Sequence, residues 1–160
     1  MPARPPDAFT LTRLASWRAA EAGSNPLPNR SVKVLTLTPG GELLSGCADG
    51  RVMWWQQPAN KPAGGKLEAL CEYIGHTSEV SAICFVPELR RLFTASHDST
   101  VKIWMAPTGA DGSSDSVPRR PCVATLRWAA LTAAAPVSCL LTHAGWLVSG
   151  SHDRSLCWWP

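Results

Sequence analysis

Two places in the sequence carry the residue types of a hydrolase triad. They are Ser96-His97-Asp98 and Ser151-His152-Asp153. A hydroxyl, an imidazole and a carboxylate are the nucleophile, base and orienting group of acyl-transfer chemistry. Adjacent side chains on an extended chain point in different directions, so consecutive residues cannot form the hydrogen-bonded relay that this chemistry needs. The sequence therefore predicts no catalytic site at either place.

Patterns for other chemistry are incomplete. Gly65-Lys66 is followed by Leu67 where a phosphate-binding loop needs Ser or Thr, and Asn60 stands where its first Gly belongs. The six cysteines lack the paired spacing of a zinc site. The four histidines are dispersed, so only the fold could bring them together. We predict no enzyme activity, no metal and no cofactor.

The elements that carry these residues occur three times. The repeated phrase has thirteen residues and reads LLSGCADGRVMWW (43–55), LFTASHDSTVKIW (92–104) and LVSGSHDRSLCWW (147–159). In each copy a short apolar run passes through Asp at a turn and ends in a strand closed by Trp. The Asp carboxylate can accept hydrogen bonds from its own turn, which favours a tight hairpin. Repeats about fifty residues apart indicate a propeller or a solenoid, because one such unit must stack on neighbours to bury its apolar face.

Further β-prone runs accompany each hairpin. An apolar strand is predicted before each one, at 31–39, 79–87 and 136–144. Outer-strand candidates lie at 9–16, 67–74 and 122–127. The chain is therefore expected to hold about twelve strands in three sets.

The middle copy carries the most specific pattern. Gly75-His76, an apolar strand, Ser96 and Asp98, and then Ile103-Trp104 resemble the WD-repeat β-propeller family. Residues 75–104 match the family closely, and the other two copies match its second half. The resemblance implies an all-β fold of four-stranded antiparallel blades, in which each repeat supplies an outer strand and then three inner strands of the next blade. Three repeats imply about three blades and an incomplete ring, since propellers close with four to eight.

The predicted organisation is a disordered N-terminus at 1–8 followed by a partial propeller at 9–160. Its repeats are expected at about 9–56, 67–105 and 121–159. The stretches 56–66 and 106–121 are rich in Pro, Gly and Ser and are predicted to be surface loops, with Arg119 and Arg120 facing solvent.

The resemblance also implies a buried hydrogen-bonded tetrad of His, Ser or Thr, Asp and Trp in each blade. The middle repeat has all four members: His76, Thr94 or Ser96, Asp98 and Trp104. The flanking repeats lack the His and match at Ser45, Asp49 and Trp55, and at Ser149, Asp153 and Trp159; Trp17 and Trp128 stand about where Gly-His is expected. A missing member leaves a buried polar group, which costs about 1–3 kcal/mol unless another group replaces it.

A partner-binding face follows from the same resemblance. In the family, contacts to partners often come from residues flanking the start of the first inner strand and from the residue before the turn Asp. The matching positions are Ser31, Lys33 and Ala48 in the first blade, Glu79, Ser81 and His97 in the second, and Pro136, Ser138 and His152 in the third.

The resemblance therefore implies a non-catalytic scaffold that binds other proteins. A net charge of +3 is too small to imply a nucleic-acid surface by itself, so a nucleic-acid partner is not expected, and no apolar run is long enough to span a membrane. Unpaired cysteine spacing and the lack of a secretory signal indicate an intracellular protein, cytoplasmic or nuclear. Two alternatives stay open: a structural subunit whose half-propeller is completed in a larger assembly, for example a ribonucleoprotein, or by self-association through open blade edges; and a truncated product without function.

Overall fold

The computed structural model describes residues 31–56, 67–108, 117–127 and 135–160. The predicted disordered start, the strand at 9–16, Trp17 and Trp128 lie outside these residues, as do residues 57–66 of the first predicted loop and residues 109–116 of the second. The described part is all-β, as predicted, and it holds no helix able to cross a bilayer.

Twelve strands follow one another along the described chain. They are β1 (Val32–Leu37), β2 (Leu43–Cys47), β3 (Val52–Gln56), β4 (Glu68–Tyr73), β5 (Val80–Val86), β6 (Arg91–Ser96), β7 (Thr100–Met105), β8 (Arg119–Arg120), β9 (Ala124–Arg127), β10 (Val137–His143), β11 (Trp146–Ser151) and β12 (Leu156–Trp159).

These strands form three sheets, which correspond to three blades. Their orders are β1-β2-β3-β4-β8, β5-β6-β7-β9 and β10-β11-β12. The outer strands β4 and β9 pair antiparallel with β3 and β7, so each belongs to the blade that precedes it along the chain. This connectivity confirms the expectation of propeller blades in which each repeat begins with the outer strand of the previous blade.

The first and third sheets depart from four antiparallel strands. Arg119 and Arg120, expected in a solvent-facing loop, form β8, which runs parallel to β4. The N–H of Glu72 donates to the carbonyl of Pro118 at 2.9 Å. The reason is that β4 is an outer strand with free backbone groups, and a returning segment satisfies some of them. The third sheet has three strands within the described residues.

The turns between the paired inner strands share one geometry. Each turn Asp accepts a hydrogen bond through Oδ1 from the backbone N–H two residues later, as expected for Asp-initiated turns. The residue between the two has a positive φ: 85° at Gly50, 66° at Ser99 and 72° at Arg154. The N–H to Oδ1 distances are 3.2 Å from Arg51 to Asp49, 3.0 Å from Thr100 to Asp98 and 2.9 Å from Ser155 to Asp153.

The hydrophobic core lies in the two seams between adjacent blades. Between the first and second blades, the indole of Trp54 meets the ring of Phe85 edge to face, with centroids 5.1 Å apart. Leu44 and Leu92, both fully buried, belong to the same cluster. The second seam is filled by residues of β6, β7, β10 and β11. Burying each such side chain contributes about 1.5–3 kcal/mol, so the blades are stable as a stack.

Gly46 allows a close approach across the first seam. A Cβ at this position would lie 2.7 Å from side-chain carbons of both Val34 and Val80. The strand β2 can therefore pack directly against the start of β5 in the next blade.

Candidate protein-interaction surface

The structure brings four predicted residues of the second blade into one hydrogen-bonded cluster. The indole Nε1 of Trp104 donates to Thr94 Oγ1 at 2.9 Å, and His76 Nε2 lies 2.7 Å from the same oxygen. His76 Nδ1 lies 2.8 Å from Asp98 Oδ2. His76, Thr94 and Trp104 are all buried. The cluster ties three segments together: the loop after β4, the strands β6 and β7, and the turn between them.

The chemistry of the four groups sets the direction of their hydrogen bonds. A carboxylate only accepts, so His76 carries a proton on Nδ1 and donates it to Asp98. With the proton on Nδ1, Nε2 can accept from the hydroxyl of Thr94, whose oxygen accepts from the indole of Trp104. Each donor has one acceptor, which makes the relay complete.

Ser96, the other hydroxyl considered for the relay, has a different role. Its Oγ donates to the carbonyl of Ser78 at 3.1 Å and accepts from the N–H of Asp98 at 3.0 Å. Thr100, which the sequence reasoning missed, donates its hydroxyl to Asp98 Oδ1 at 2.6 Å. A hydroxyl two residues after the turn Asp recurs at Ser155, and this recurrence could have identified it.

Asp98 is held in its charged form. Burial opposes ionisation and by itself would raise the pKa of this carboxyl. Hydrogen bonds from His76, from Thr100 and from the backbone N–H of Thr77 outweigh burial and hold the pKa of Asp98 well below its usual range.

The flanking blades keep the Trp-to-hydroxyl bond of the relay. Trp55 Nε1 donates to Ser45 Oγ at 2.8 Å, and Trp159 Nε1 donates to Ser149 Oγ at 2.9 Å. These bonds join the second and third inner strands in the same way as the bond from Trp104 to Thr94.

The first blade surrounds its turn Asp with ion pairs that the sequence reasoning did not find. Arg51 Nε lies 3.4 Å from Asp49 Oδ2, and its Nη1 lies 2.5 Å from Glu72 Oε1. Arg119 Nε lies 3.4 Å from Glu72 Oε2. Glu72 is buried on β4, and two guanidinium groups compensate the charge of its carboxylate. Arg51 stands at the position of Thr100 in the second blade.

In the third blade, hydroxyl and backbone groups surround the turn Asp. The hydroxyl of Ser155 donates to Asp153 Oδ1, and this bond lowers the pKa of the carboxyl. The N–H of Asp153 faces Ser151 Oγ at 3.4 Å. Ser151 also donates to the carbonyl of Pro136 at 3.0 Å, so its hydroxyl holds the turn against the first strand of the blade.

The nine residues expected to bind partners gather at one end of the blades, which we call the top face. Within each blade, the residue before the turn Asp donates its N–H to the carbonyl of the residue that precedes or opens the first inner strand. These bonds run from Ala48 to Ser31 at 2.9 Å, from His97 to Glu79 at 2.9 Å and from His152 to Pro136 at 3.0 Å.

A bulge occurs at the same position in all three blades. The register of each first inner strand shifts across its second residue, which is Lys33 in β1, Ser81 in β5 and Ser138 in β10. A bulge frees one residue from regular pairing and re-aims its side chain. Ser81 donates to the carbonyl of Val137 in the next blade, and Ser138 donates to that of Gly150 at 3.1 Å.

The top face continues across both seams. Lys33 Nζ lies 2.9 Å from Glu79 Oε2, joining the first and second blades. The imidazole rings of His97 and His152, in the second and third blades, have centroids 5.5 Å apart. None of the nine residues is fully buried.

Comparisons with known proteins agree with this architecture. The sequence model of the family described as "WD domain, G-beta repeat" matches residues 67–105 and 121–160. The crystal structure of the WD40 beta propeller domain of Doa1 superposes with a TM-score of 0.55 at 21% identity, covering 81% of this chain and 38% of that one. The chain belongs to the WD-repeat β-propeller family. Proteins of this family generally act as protein-interaction scaffolds, and the fold is typically non-catalytic.

Two curated relatives also carry similar segments. Kinesin-like protein KIF21A of Homo sapiens is 39% identical over 70 residues, which is 44% of this chain and 4% of the relative. Histone acetyltransferase type B subunit 2 of Aspergillus fumigatus is 36% identical over 76 residues, which is 46% of this chain and 17% of the relative. This WD-repeat chain therefore spans a small part of the length of both relatives.

We expect Thr94→Val to destabilise the second blade while keeping the shape of the side chain. Without the hydroxyl, the indole N–H of Trp104 and Nε2 of His76 lose their partner, at about 1–3 kcal/mol for each buried group. Denaturant unfolding should show a loss of about 2–4 kcal/mol. Thr125→Val is the matched control, because Thr125 is exposed and its hydroxyl accepts from Lys102 at the surface. Equal stability of the two variants would contradict the role of the relay.

The low pKa of Asp98 predicts a pH dependence of stability. Its stabilising effect is fully present above the unfolded-state pKa of about 4 and is lost as the pH falls through that value towards the lower folded-state pKa. Unfolding midpoints measured from pH 7 to pH 2 should fall steeply for the wild type. Asp98→Asn should be less stable at pH 7 and should show a flatter decline.

The equivalent Asp153→Asn is the control for this experiment. The described partners of Asp153 are neutral hydroxyl and backbone groups, so its removal should change the pH profile less. A profile that flattens equally in both variants would show that the His76 contact does not set the dependence.

Proposed function

We propose that this chain is a non-catalytic scaffold that binds other proteins through the top face. The observation that carries the proposal is the continuity of this face across both seams, through Lys33–Glu79 and His97–His152. A continuous surface that crosses blade boundaries offers a partner more contacts than any single blade does. The bulges support the same role, because bulges recur where a side chain is re-aimed for binding.

The chemistry of the top face suits a polar protein surface or peptide. It presents an ion pair, two imidazoles and several hydroxyls, with no large apolar side chain among the nine residues. Lys33 and Glu79 compensate each other's charge, so specificity is expected from hydrogen bonds rather than from net charge.

The hydrogen bonds that the serine hydroxyls make in the two triad-like segments support a non-catalytic role. Ser96 Oγ donates to the carbonyl of Ser78, and Ser151 Oγ donates to that of Pro136. Both hydroxyls hold turns, and neither bond has the nucleophile-to-base geometry of acyl transfer.

We further propose a reducing compartment, cytoplasmic or nuclear. All six cysteines lie in the described residues, and all are free thiols. Burial raises the pKa of the Cys71 thiol, which makes it an unreactive core residue. These observations fit a chain that folds without disulfides.

The proposal predicts that Lys33→Ala/Glu79→Ala weakens binding of a protein partner by about tenfold, as for an interface pair worth somewhat more than 1 kcal/mol. Removing both residues leaves no unpaired charge at the seam. Partners recovered by quantitative affinity capture should be titrated against both forms. Glu88→Ala/Leu89→Ala is the control, because these exposed residues occupy the β5–β6 turn at the opposite end of the same blade. Binding lost only in the control would contradict the top face as the docking surface.

A second candidate function is that of a structural subunit whose blades are completed in an assembly. The observation that favours it is the outward face of the third blade. Trp158 is 61% exposed, whereas Trp54, at the same register position in the first blade, is 2% exposed. Leu156 is 68% exposed, whereas its counterpart Val101 in the second blade is 1% exposed. The third blade therefore presents the kind of surface that the other two blades bury.

A second copy of the chain offers a complementary surface. Leu35 and Leu37 of the first blade are 60% and 66% exposed, at the positions where Ile83 and Phe85 of the second blade pack into the first seam. The first blade of one copy can thus pack on the third blade of another in the way that successive blades pack within the chain. Two copies would supply about six blades, within the range of closed propellers.

This second candidate predicts a discrete dimer in light scattering on a sizing column. Leu156→Glu/Trp158→Glu should convert the dimer to a monomer, because burying two carboxylates in a seam is costly. Leu89→Glu, a charge placed on an exposed turn residue, should leave the dimer intact. A wild-type chain that stays monomeric at high concentration would contradict self-assembly, and heterogeneous aggregate would favour completion by a different protein.

A further inference from the structure

Two histidines that are far apart in the sequence meet on the top face. His97 and His152 each stand immediately before a turn Asp, in the second and third blades. Their rings have centroids 5.5 Å apart with planes inclined by 55°. The N–H of each is bonded to a carbonyl of its own blade, at 2.9 Å and 3.0 Å, so the backbone under both rings is fixed.

This spacing matches two imidazoles that share one metal ion. Zinc–nitrogen bonds are about 2.0–2.1 Å long, so a tetrahedral angle at the metal places the centroids of two ligating imidazoles about 5 Å apart. The observed separation of 5.5 Å is close to this value.

The two rings can be reached from solvent, and the neighbouring carboxylates already have partners of their own. His152 is exposed and His97 is half-buried, so an ion can reach both rings from solvent. Glu79, which accepts the N–H of His97 through its carbonyl, has its carboxylate paired with Lys33. The carboxylates of the two turn Asp residues accept hydrogen bonds within their own blades.

No third His, Cys, Asp or Glu joins the two histidines among the described residues. The remaining coordination positions of an ion would therefore hold water or a side chain of a bound protein. Neutral imidazole is the ligand type preferred by zinc, copper and nickel, and it is not suited to calcium or magnesium.

We propose that His97 and His152 form a two-histidine site for a divalent transition-metal ion on the seam between the second and third blades. The inference goes beyond partner binding, and it stands or fails separately from that function. A bound ion would join two blades that are otherwise held here by the apolar seam and by the bond from Ser81 to the carbonyl of Val137. An ion that binds only the folded chain also stabilises it, by RT ln(1 + [ion]/Kd).

Titration calorimetry with Zn²⁺ alone tests the proposal. We expect one ion per wild-type chain, and His97→Asn and His152→Asn should each weaken binding by at least about tenfold, the loss typical of disturbing a metal site. The third described histidine at the surface, His143, provides the matched control, because it lies at the far end of β10. His143→Asn should bind Zn²⁺ like the wild type.

A second readout is thermal unfolding with and without Zn²⁺. The ion should raise the midpoint of the wild type and of His143→Asn, and it should leave the midpoints of the other two variants unchanged. Equal midpoints of all four proteins without metal would show that each variant folds. The proposal would be overturned by a wild type that binds no zinc, by equal loss of binding in His143→Asn, or by retained binding in His152→Asn.

Discussion

Packing of one blade face on the next is the interaction on which the rest of this structure depends. The edge-to-face contact of Trp54 with Phe85 and the close approach at Gly46 occur between blades, as do both apolar clusters. A single three- or four-stranded sheet with two apolar faces cannot bury them by itself. The hairpins, the relay and the top face are therefore well placed only when the blades are stacked.

The hydrogen-bond relays add specificity to this stack. In the second blade the relay has all four members, and it ties the loop that enters the blade to the inner hairpin through His76. The first blade has ion pairs instead of a His in this region. Arg51 and Arg119 surround the buried carboxylate of Glu72. The strand β8 brings Arg119 to this place, so an additional outer strand and an ion-pair cluster occur together. The turn Asp residues of the first two blades thus have different partners: Arg51 contacts Asp49, whereas His76 contacts Asp98.

Core packing and the proposed binding surface use different positions of the same strands. Along β5, Ile83 packs into the first seam, whereas Ser81 lies at the bulge on the top face. If the top face binds partners as proposed, a substitution at Ser81 would change recognition and the bond to Val137, whereas one at Ile83 would change the core. Such separation allows WD-repeat chains to vary their partners on a constant scaffold.

The sequence by itself determined the elements whose hydrogen bonds are local. The turn Asp, the hydroxyl before it and the Trp after it lie within about ten residues of one another, so their spacing was enough to predict the hairpins and the pairing of Trp104 with a hydroxyl. Only the tertiary structure decided between Thr94 and Ser96, because both side chains lie on the same face of β6 and their partners depend on where the preceding loop places His76. It also decided the ion pairs of Glu72, the strand β8 and the meeting of His97 with His152. These contacts join residues of different blades or of distant loops, and their distances are set by how the sheets stack rather than by spacing along the chain.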